Sequence, residues 1–278
     1  MEDWIIHWNL DPNLLWITDS FPLKYYGLLF VSGLLLGYVT VKKVYQKENI
    51  SVEYLDTLAT YIAAGTIIGA RLGHCLFYDF AYYSQHILEI FLPVQKVNSS
   101  YAFVGYQGLA SHGGAIGVLI AVGLYCYRYR QNFLWTVDRI ALAVPITGMC
   151  IRLANFMNSE IIGKPTKGGY GVIFEQIDTV VRHPAQLYEA LAYLILFVIL
   201  QYVYYNTILR EKKGFIFGIF LIFLFTARFC IEFFKENQSQ FEDAMAINMG
   251  QTLSIPFIII GGILSVHAIT RSTSMYST

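Results

Sequence analysis

Apolar runs of about 20 residues, the length that crosses a bilayer's hydrocarbon, alternate along the chain with short polar stretches. The pattern predicts seven crossing helices. They run roughly from Tyr25 to Val44, Asp56 to Phe77, the Gly105–Gly114 stretch to Tyr127, Leu134 to Met157, Pro184 to Ile208, Gly214 to Phe234 and Gln251 to Ile269. Ahead of them, residues 4–18 carry Trp4, Trp8 and Trp16 and are interrupted by Pro12, which predicts a segment lying along the bilayer rather than across it. Gly65, Gly69 and Gly73 stand four apart in the second run and predict a small-residue face for close helix contact. A loop with Pro93 precedes the third run, and Pro184 is placed as a first-turn proline of the fifth.

Composition makes the membrane reading firm. The chain is 56% hydrophobic and 14% charged, where a soluble domain carries about 25% charged residues. It is expected to be an all-α, polytopic integral membrane protein. The 20 phenylalanines and 21 tyrosines suit aromatic belts at both interfaces. No linker or repeat divides it, so the reading is one transmembrane domain over residues 21–270, an interfacial segment over 1–20 and a short tail over 271–278. The acidic start Met1-Glu2-Asp3 lacks the positive region of a cleaved signal peptide. Zero formal net charge points away from nucleic acid. Cys75, Cys126, Cys150 and Cys230 lie in or beside apolar runs without ligand spacing and read as packing residues.

Charge orients the spans. On one side, short loops and ends hold Lys42, Lys43, Lys47, Arg128, Arg130, Arg210, Lys212, Lys213 and Arg271. The other side holds Lys24, Lys96, Lys164, Lys167, Arg182 and Lys235, in longer loops that also carry Glu160, Glu175, Asp178, Glu236, Glu242 and Asp243. The positive-inside rule then puts the N-terminus outside and the C-terminus in the cytoplasm.

Four arginines remain, all within expected spans. Arg139 is near a cytoplasmic end and is expected to reach the headgroups. Arg71 (with His74 three residues on), Arg152 and Arg228 all map to the outer leaflet, and Arg228 precedes Glu232 by four, a spacing that permits an ion pair. A charge at that depth is normally kept to bind or react. Arg152 and Asn155 share a helix face within Gly148–Glu160, and a second polar stretch, Arg182–Glu189, opens the next run. His112, in Ser-His-Gly-Gly, stands at matching depth. Three arginines and two polar stretches point to an anion site among apolar helices, suited to an anionic lipid whose phosphate pairs with guanidinium. Transport of lipid, or a structural burial of Arg228 with Glu232, would use the same residues. Gly163–Gly171 lacks the glycine spacing of a nucleotide loop, and no metal cluster is visible.

Ser111-His-Gly-Gly114, Arg152-Leu-Ala-Asn-Phe-Met-Asn-Ser-Glu160, Arg182-His-Pro-Ala-Gln-Leu-Tyr-Glu189, Arg228-Phe-Cys-Ile-Glu-Phe-Phe-Lys235 and Gly69-Ala-Arg-Leu-Gly73 followed by Phe77-Tyr78 together resemble bacterial prolipoprotein diacylglyceryl transferase, over about residues 20–270. The resemblance implies seven membrane helices in the bacterial cytoplasmic (inner) membrane, with the active site toward the outer leaflet. It implies transfer of the diacylglyceryl group of phosphatidylglycerol to the lipobox cysteine of preprolipoproteins, with release of glycerol phosphate and before signal peptidase II acts. No metal or cofactor is expected, since lipid and thiol supply both reacting centres. By resemblance, Tyr26 matches the first-helix tyrosine, His112 the motif histidine, Arg152, Asn155, Asn158 and Glu160 the signature, and Arg228 with Glu232 the sixth-helix pair. Ser111 stands where the family commonly has phenylalanine, and Lys235 where it often has arginine.

The chemistry assigns the expected roles. Arg152 and Arg228 clamp the phosphate as its carbon–oxygen bond breaks. His112 activates the thiol, or Arg228 stabilises an incoming thiolate. Arg71 and Glu232 hold the clamp. Asn155, Asn158, Glu160 and Gln186 bind the headgroup glycerol or shape the pocket.

Overall fold

The computed structural model describes residues 4–18, 21–92, 94–97, 100–103, 108–236 and 247–273. Residues 1–3, Pro93, the beginning of the Gly105–Gly114 stretch, Glu242, Asp243 and residues 274–278 of the expected tail lie outside the described residues. Three strands, β1 (Trp4–Trp8), β2 (Asn13–Thr18) and β3 (Phe21–Lys24), lead into helix α1 (Tyr25–Lys47). Then come α2 (Val52–Phe77), the short α3 (Phe80–Tyr83) and α4 (Ile87–Phe91), the hairpin β4 (Val94–Val97) and β5 (Ser100–Phe103), and α5 (Ser111–Tyr129). The chain continues through α6 (Phe133–Ala141), α7 (Val144–Met157), β6 (Tyr170–Phe174), β7 (Val181–Arg182), α8 (Ala185–Asn206), α9 (Phe215–Ile231) and α10 (Met249–Thr273). It forms two compact units, Met1–Val44 with Val137–Thr278, and Tyr45–Thr136.

Among the described residues four helices are long and apolar enough to cross a membrane: α1, α8, α9 with its trailing turn, and α10. The α6–α7 pair is a fifth if counted as one broken span. The expected fourth span is therefore not straight: it bends by 41° where α7 restarts with Pro145 in its first turn. Proline has no N–H to continue the ladder of the preceding turn, so the helix breaks there and starts again. Helices α2 and α5 cover the second and third expected runs, but glycine and polar residues keep them below that apolarity.

The all-α expectation needs correction in the loops. The tryptophan-rich residues 4–18 are strands, and β1 pairs in parallel with β6, Trp4 opposite Tyr170 and Trp8 opposite Phe174. β7 completes that sheet antiparallel to β6. The Trp8 ring packs on Phe156 at 4.5 Å, and Phe156 also meets Phe174, so the sheet is fastened to the end of α7 by aromatic contact.

In the first unit, Val44, Leu142, Leu196, Leu200, Tyr204 and Ile216 form a fully buried core. Asp138 reaches from α6 to the start of α9, where Oδ2 accepts from Gly214 N–H at 2.7 Å and Oδ1 from Phe217 N–H at 2.8 Å. This cap satisfies two donors that no helical carbonyl can reach. Arg139 does not reach outward as expected. It is 4% exposed, lies 3.9 Å from Asp138 and stacks over the Tyr204 ring, because Asp138 supplies a buried negative charge at that depth.

In the second unit the glycine face packs as predicted, against α5. A methyl group on Gly73 would stand 2.6 Å from Gly113 Cα, and one on Gly65 2.6 Å from Gly117 O. Gly113 and Gly117 thus complete a two-sided small-residue contact that lets the backbones touch. Three of the four free cysteines are buried, in keeping with packing, while Cys230 is exposed.

Candidate active site

In the first unit, the signature residues converge on Glu160. Ser159 and Ile161 have φ of 54° and 56°, a left-handed conformation that non-glycine residues adopt at a cost. These two residues turn the chain sharply on either side of Glu160 and carry its side chain back to the end of α7. Asn155 Nδ2 donates to Glu160 Oε2 at 2.9 Å, and Asn158 Nδ2 donates to Oε1 at 3.0 Å. Gln186, in the first turn of α8, donates to the Glu160 carbonyl at 2.6 Å. The Asn158 Oδ1 and Gln186 Oε1 acceptors are buried and have no partner among the described residues.

Arg152 extends the network along the helix. One turn before Asn155, it donates from Nη1 to Asn155 Oδ1 at 3.1 Å. Its Nε lies 2.8 Å from Glu189 Oε2, an ion pair in which neither atom makes an aligned hydrogen bond. Glu189 is 1% exposed, and its other oxygen lies 3.4 Å from Lys235 Nζ. Lys235 in turn stands 3.2 Å from Glu232 Oε2 and is 3% exposed. The result is an alternating buried row, Arg152–Glu189–Lys235–Glu232.

Arg228 does not pair with Glu232 as the spacing allowed. The backbone tightens at Glu232–Phe234 into a 3-10 turn, and the Glu232 carboxylate faces Lys235 and the first turn of α10 at Gly250. Arg228 lies within electrostatic range of Tyr193, which also neighbours Arg152. Tyr26 also reaches the site. With Leu23, Lys24, Gly27, Asn158 and Glu160 it lines a cavity of about 520 Å³.

Arg182 and Lys235, counted above as loop cations, are internal. Arg182 Nε donates to Asp178 Oδ2 at 3.1 Å, and its Nη1 donates to Glu236 Oε1 at 2.9 Å. The guanidinium holds the Asp178 carboxyl below the usual aspartate range. Next to it, Gly163 admits no side chain, since a methyl there would lie 2.7 Å from His183 Cβ.

Arg71 and His112 belong to the second unit. Arg71 is 7% exposed and gives its guanidinium to the backbone: Nε donates to Ile90 O at 3.2 Å and Nη2 to Glu89 O, while the group lies over the Tyr83 ring. This arginine ties α4 to α2. His112 is exposed in the first turn of α5, with no hydrogen bond among the described residues.

Glu189 and Lys235 close motif stretches of the sequence but received no role there, and Tyr193 stood in none of them. Glu189 could have been found, since it sits one helical turn beyond Gln186 on the same face. Tyr193 carried no such signal. Among the described residues no group of three His, Cys, Asp or Glu side chains could hold a metal ion.

A family model described as prolipoprotein diacylglyceryl transferase matches residues 12–267. The chain is 49% identical over 257 residues to a phosphatidylglycerol–prolipoprotein diacylglyceryl transferase of Bacteroides fragilis, with 92% of each chain covered. It is 45% identical to the enzyme of that name from Tolumonas auensis, covering 94% of this chain and 96% of the relative. Against that of Porphyromonas gingivalis the identity is 40%, with 95% of each covered. With near-complete coverage on both sides, the chain belongs to the prolipoprotein diacylglyceryl transferase family.

Proposed function

We propose that the protein moves the diacylglyceryl group of phosphatidylglycerol onto the thiol of a lipobox cysteine in preprolipoproteins, releasing glycerol phosphate. The observation that carries the site is the state of Arg152. Glu189 and Asn155 hold its Nε and Nη1, and the Tyr193 phenol lies against the same guanidinium. A guanidinium held by a carboxylate and an amide, and lining a cavity of about 150 Å³ with Gly148, Ile151 and Tyr193, suits a phosphate.

Arg152 and Arg228 pair with the lipid phosphate. Asn158 Oδ1 accepts a headgroup hydroxyl, and Tyr26 and Glu160 shape the cavity that receives the glycerol. The thiol sulfur attacks the glycerol carbon, that carbon's bond to the phosphate oxygen breaks, and the electron pair leaves with the phosphate monoester. The arginines stabilise the charge gathering there. The thiol proton passes to His112, or the thiolate forms against Arg228; a pH–rate profile with His112→Gln decides between them. Arg71 and Glu232 support the surrounding chain.

Seven helices carry the site in the bacterial cytoplasmic membrane, with N-terminus outside, C-terminus in the cytoplasm and the site in the outer leaflet. The apolar helices and the basic residues in the short loops support this arrangement.

The test supplies purified protein in liposomes with phosphatidylglycerol labelled in its diacylglyceryl group and a lipobox-cysteine peptide. Label on the peptide, absent when its cysteine is serine and when Arg152 is alanine, is the expected result. Lipid movement without thioether formation would favour transport instead.

A further inference from the structure

In the row Arg152–Glu189–Lys235–Glu232 two cations and two carboxylates alternate, and Lys235 stands between the carboxylates, 3.2 Å from Glu232 and 3.4 Å from Glu189. Glu189 alone would neutralise Arg152. Lys235, almost as buried, draws on the same carboxylate from its other oxygen, 3.4 Å away, while Arg152 holds the nearer contact at 2.8 Å. Such an arrangement is sensitive, because charge–charge interactions strengthen where water is excluded. The Arg152–Glu189 contact also lacks an aligned hydrogen bond, so attraction rather than a rigid fork holds it.

We infer that Glu189 and Lys235 are positioning residues that set how much positive charge Arg152 offers to a phosphate: Glu189 withdraws it and Lys235 returns part of it. The inference rests on the reading of Arg152 as a phosphate ligand. Its chemical sense lies in turnover. The substrate is a phosphodiester with one charge and the product a monoester that can carry two. An arginine at full strength would hold the product longer than the substrate. A carboxylate shared with a lysine keeps the site attractive enough for the lipid and weak enough to release glycerol phosphate.

The two residues therefore predict opposite effects, which loss of structure alone would not produce. In Lys235→Met, Glu189 rests wholly on Arg152, and KM for phosphatidylglycerol rises about tenfold, the size of a coupling near 1.4 kcal/mol. In Glu189→Gln, Arg152 is released. KM falls, kcat falls with it, and inhibition by added glycerol phosphate strengthens about tenfold. Lys235→Arg keeps the charge and stays near wild type. In Glu189→Gln/Lys235→Met, KM stays below that of Lys235→Met, because the carboxylate that lies against Arg152 is gone.

The experiment measures KM, kcat and glycerol phosphate inhibition for the full chain in liposomes, with each variant's folded fraction taken from its melting curve. Shifts of KM in opposite directions support the inference. Shifts in the same direction, or changes in kcat alone, overturn it. Should Lys235→Met not fold, glycerol phosphate inhibition of Glu189→Gln decides the matter by itself: unchanged or weaker inhibition overturns the inference. A wild-type protein that forms no thioether would overturn the transferase reading first, and is thereby distinguished.

Discussion

Asn155 and Glu160 hold each other twice. The Glu160 N–H donates to Asn155 O at 2.9 Å, and Asn155 Nδ2 donates back to Glu160 Oε2 at 2.9 Å. The reciprocal pair closes the end of α7, while the remaining atom of the amide, Oδ1, accepts from Arg152 at 3.1 Å. One side chain thereby connects the candidate phosphate ligand to the candidate headgroup cavity.

Asn155→Ala removes both side-chain contacts together. Lost orientation of Arg152 is expected to lower kcat/KM by about 100-fold, and the unpartnered groups to lower stability by about 1–3 kcal/mol. The thioether assay and a thermal melt in detergent check the two effects separately. A melt shift without loss of activity per folded molecule would show that Arg152 keeps its place unaided.

Arg71→Met tests whether that arginine is structural. The buried carbonyls of Glu89 and Ile90 lose charged donors, each worth about 1.5–3 kcal/mol. Melting temperature should fall, while kcat and KM of the surviving folded protein stay near wild type. A selective rise in KM would return Arg71 to the lipid site.

Gly69→Val addresses the contact between α2 and α5. The added carbons meet Gly113 O and stand 2.7 Å from Gly117 Cα, backbone that cannot turn aside. A loss of about 1–3 kcal/mol is expected from this overpacking. Gly123→Ala, where nothing lies within 4 Å, serves as the control. It should be neutral or stabilising by about 0.5–1 kcal/mol through helix propensity. Comparing the two melts separates crowding from any general effect of glycine loss.

Asp178 predicts a pH dependence. Arg182 lowers its folded-state pKa below the ordinary value of about 3.9. A depressed carboxylate contributes stability that is present above the unfolded pKa and lost as pH falls through the folded one. The difference in melting temperature between wild type and Asp178→Asn should therefore be largest near neutrality and shrink as pH drops below about 4. A difference independent of pH would assign the effect to geometry rather than charge.

What could be read from the sequence was what depends on neighbours along the chain. Apolar run length marked the long helices, since hydrocarbon thickness sets it directly. Four-residue spacing marked the Gly65–Gly69–Gly73 face, and three-residue spacing put Arg152 beside Asn155. The tertiary structure alone decided the partners. β1 meets β6 across more than 160 residues, in loops where composition had predicted no strands. Arg139 turns inward because Asp138, buried where it caps α9, supplies a negative charge beside it. Arg228 and Glu232 had suitable spacing, yet Glu232 pairs with Lys235, while Glu189 comes from another helix to meet Arg152. Periodicity determines which face a side chain occupies, but a buried charge goes to whichever opposite charge the packing brings within reach, and that choice involves the whole set of helices.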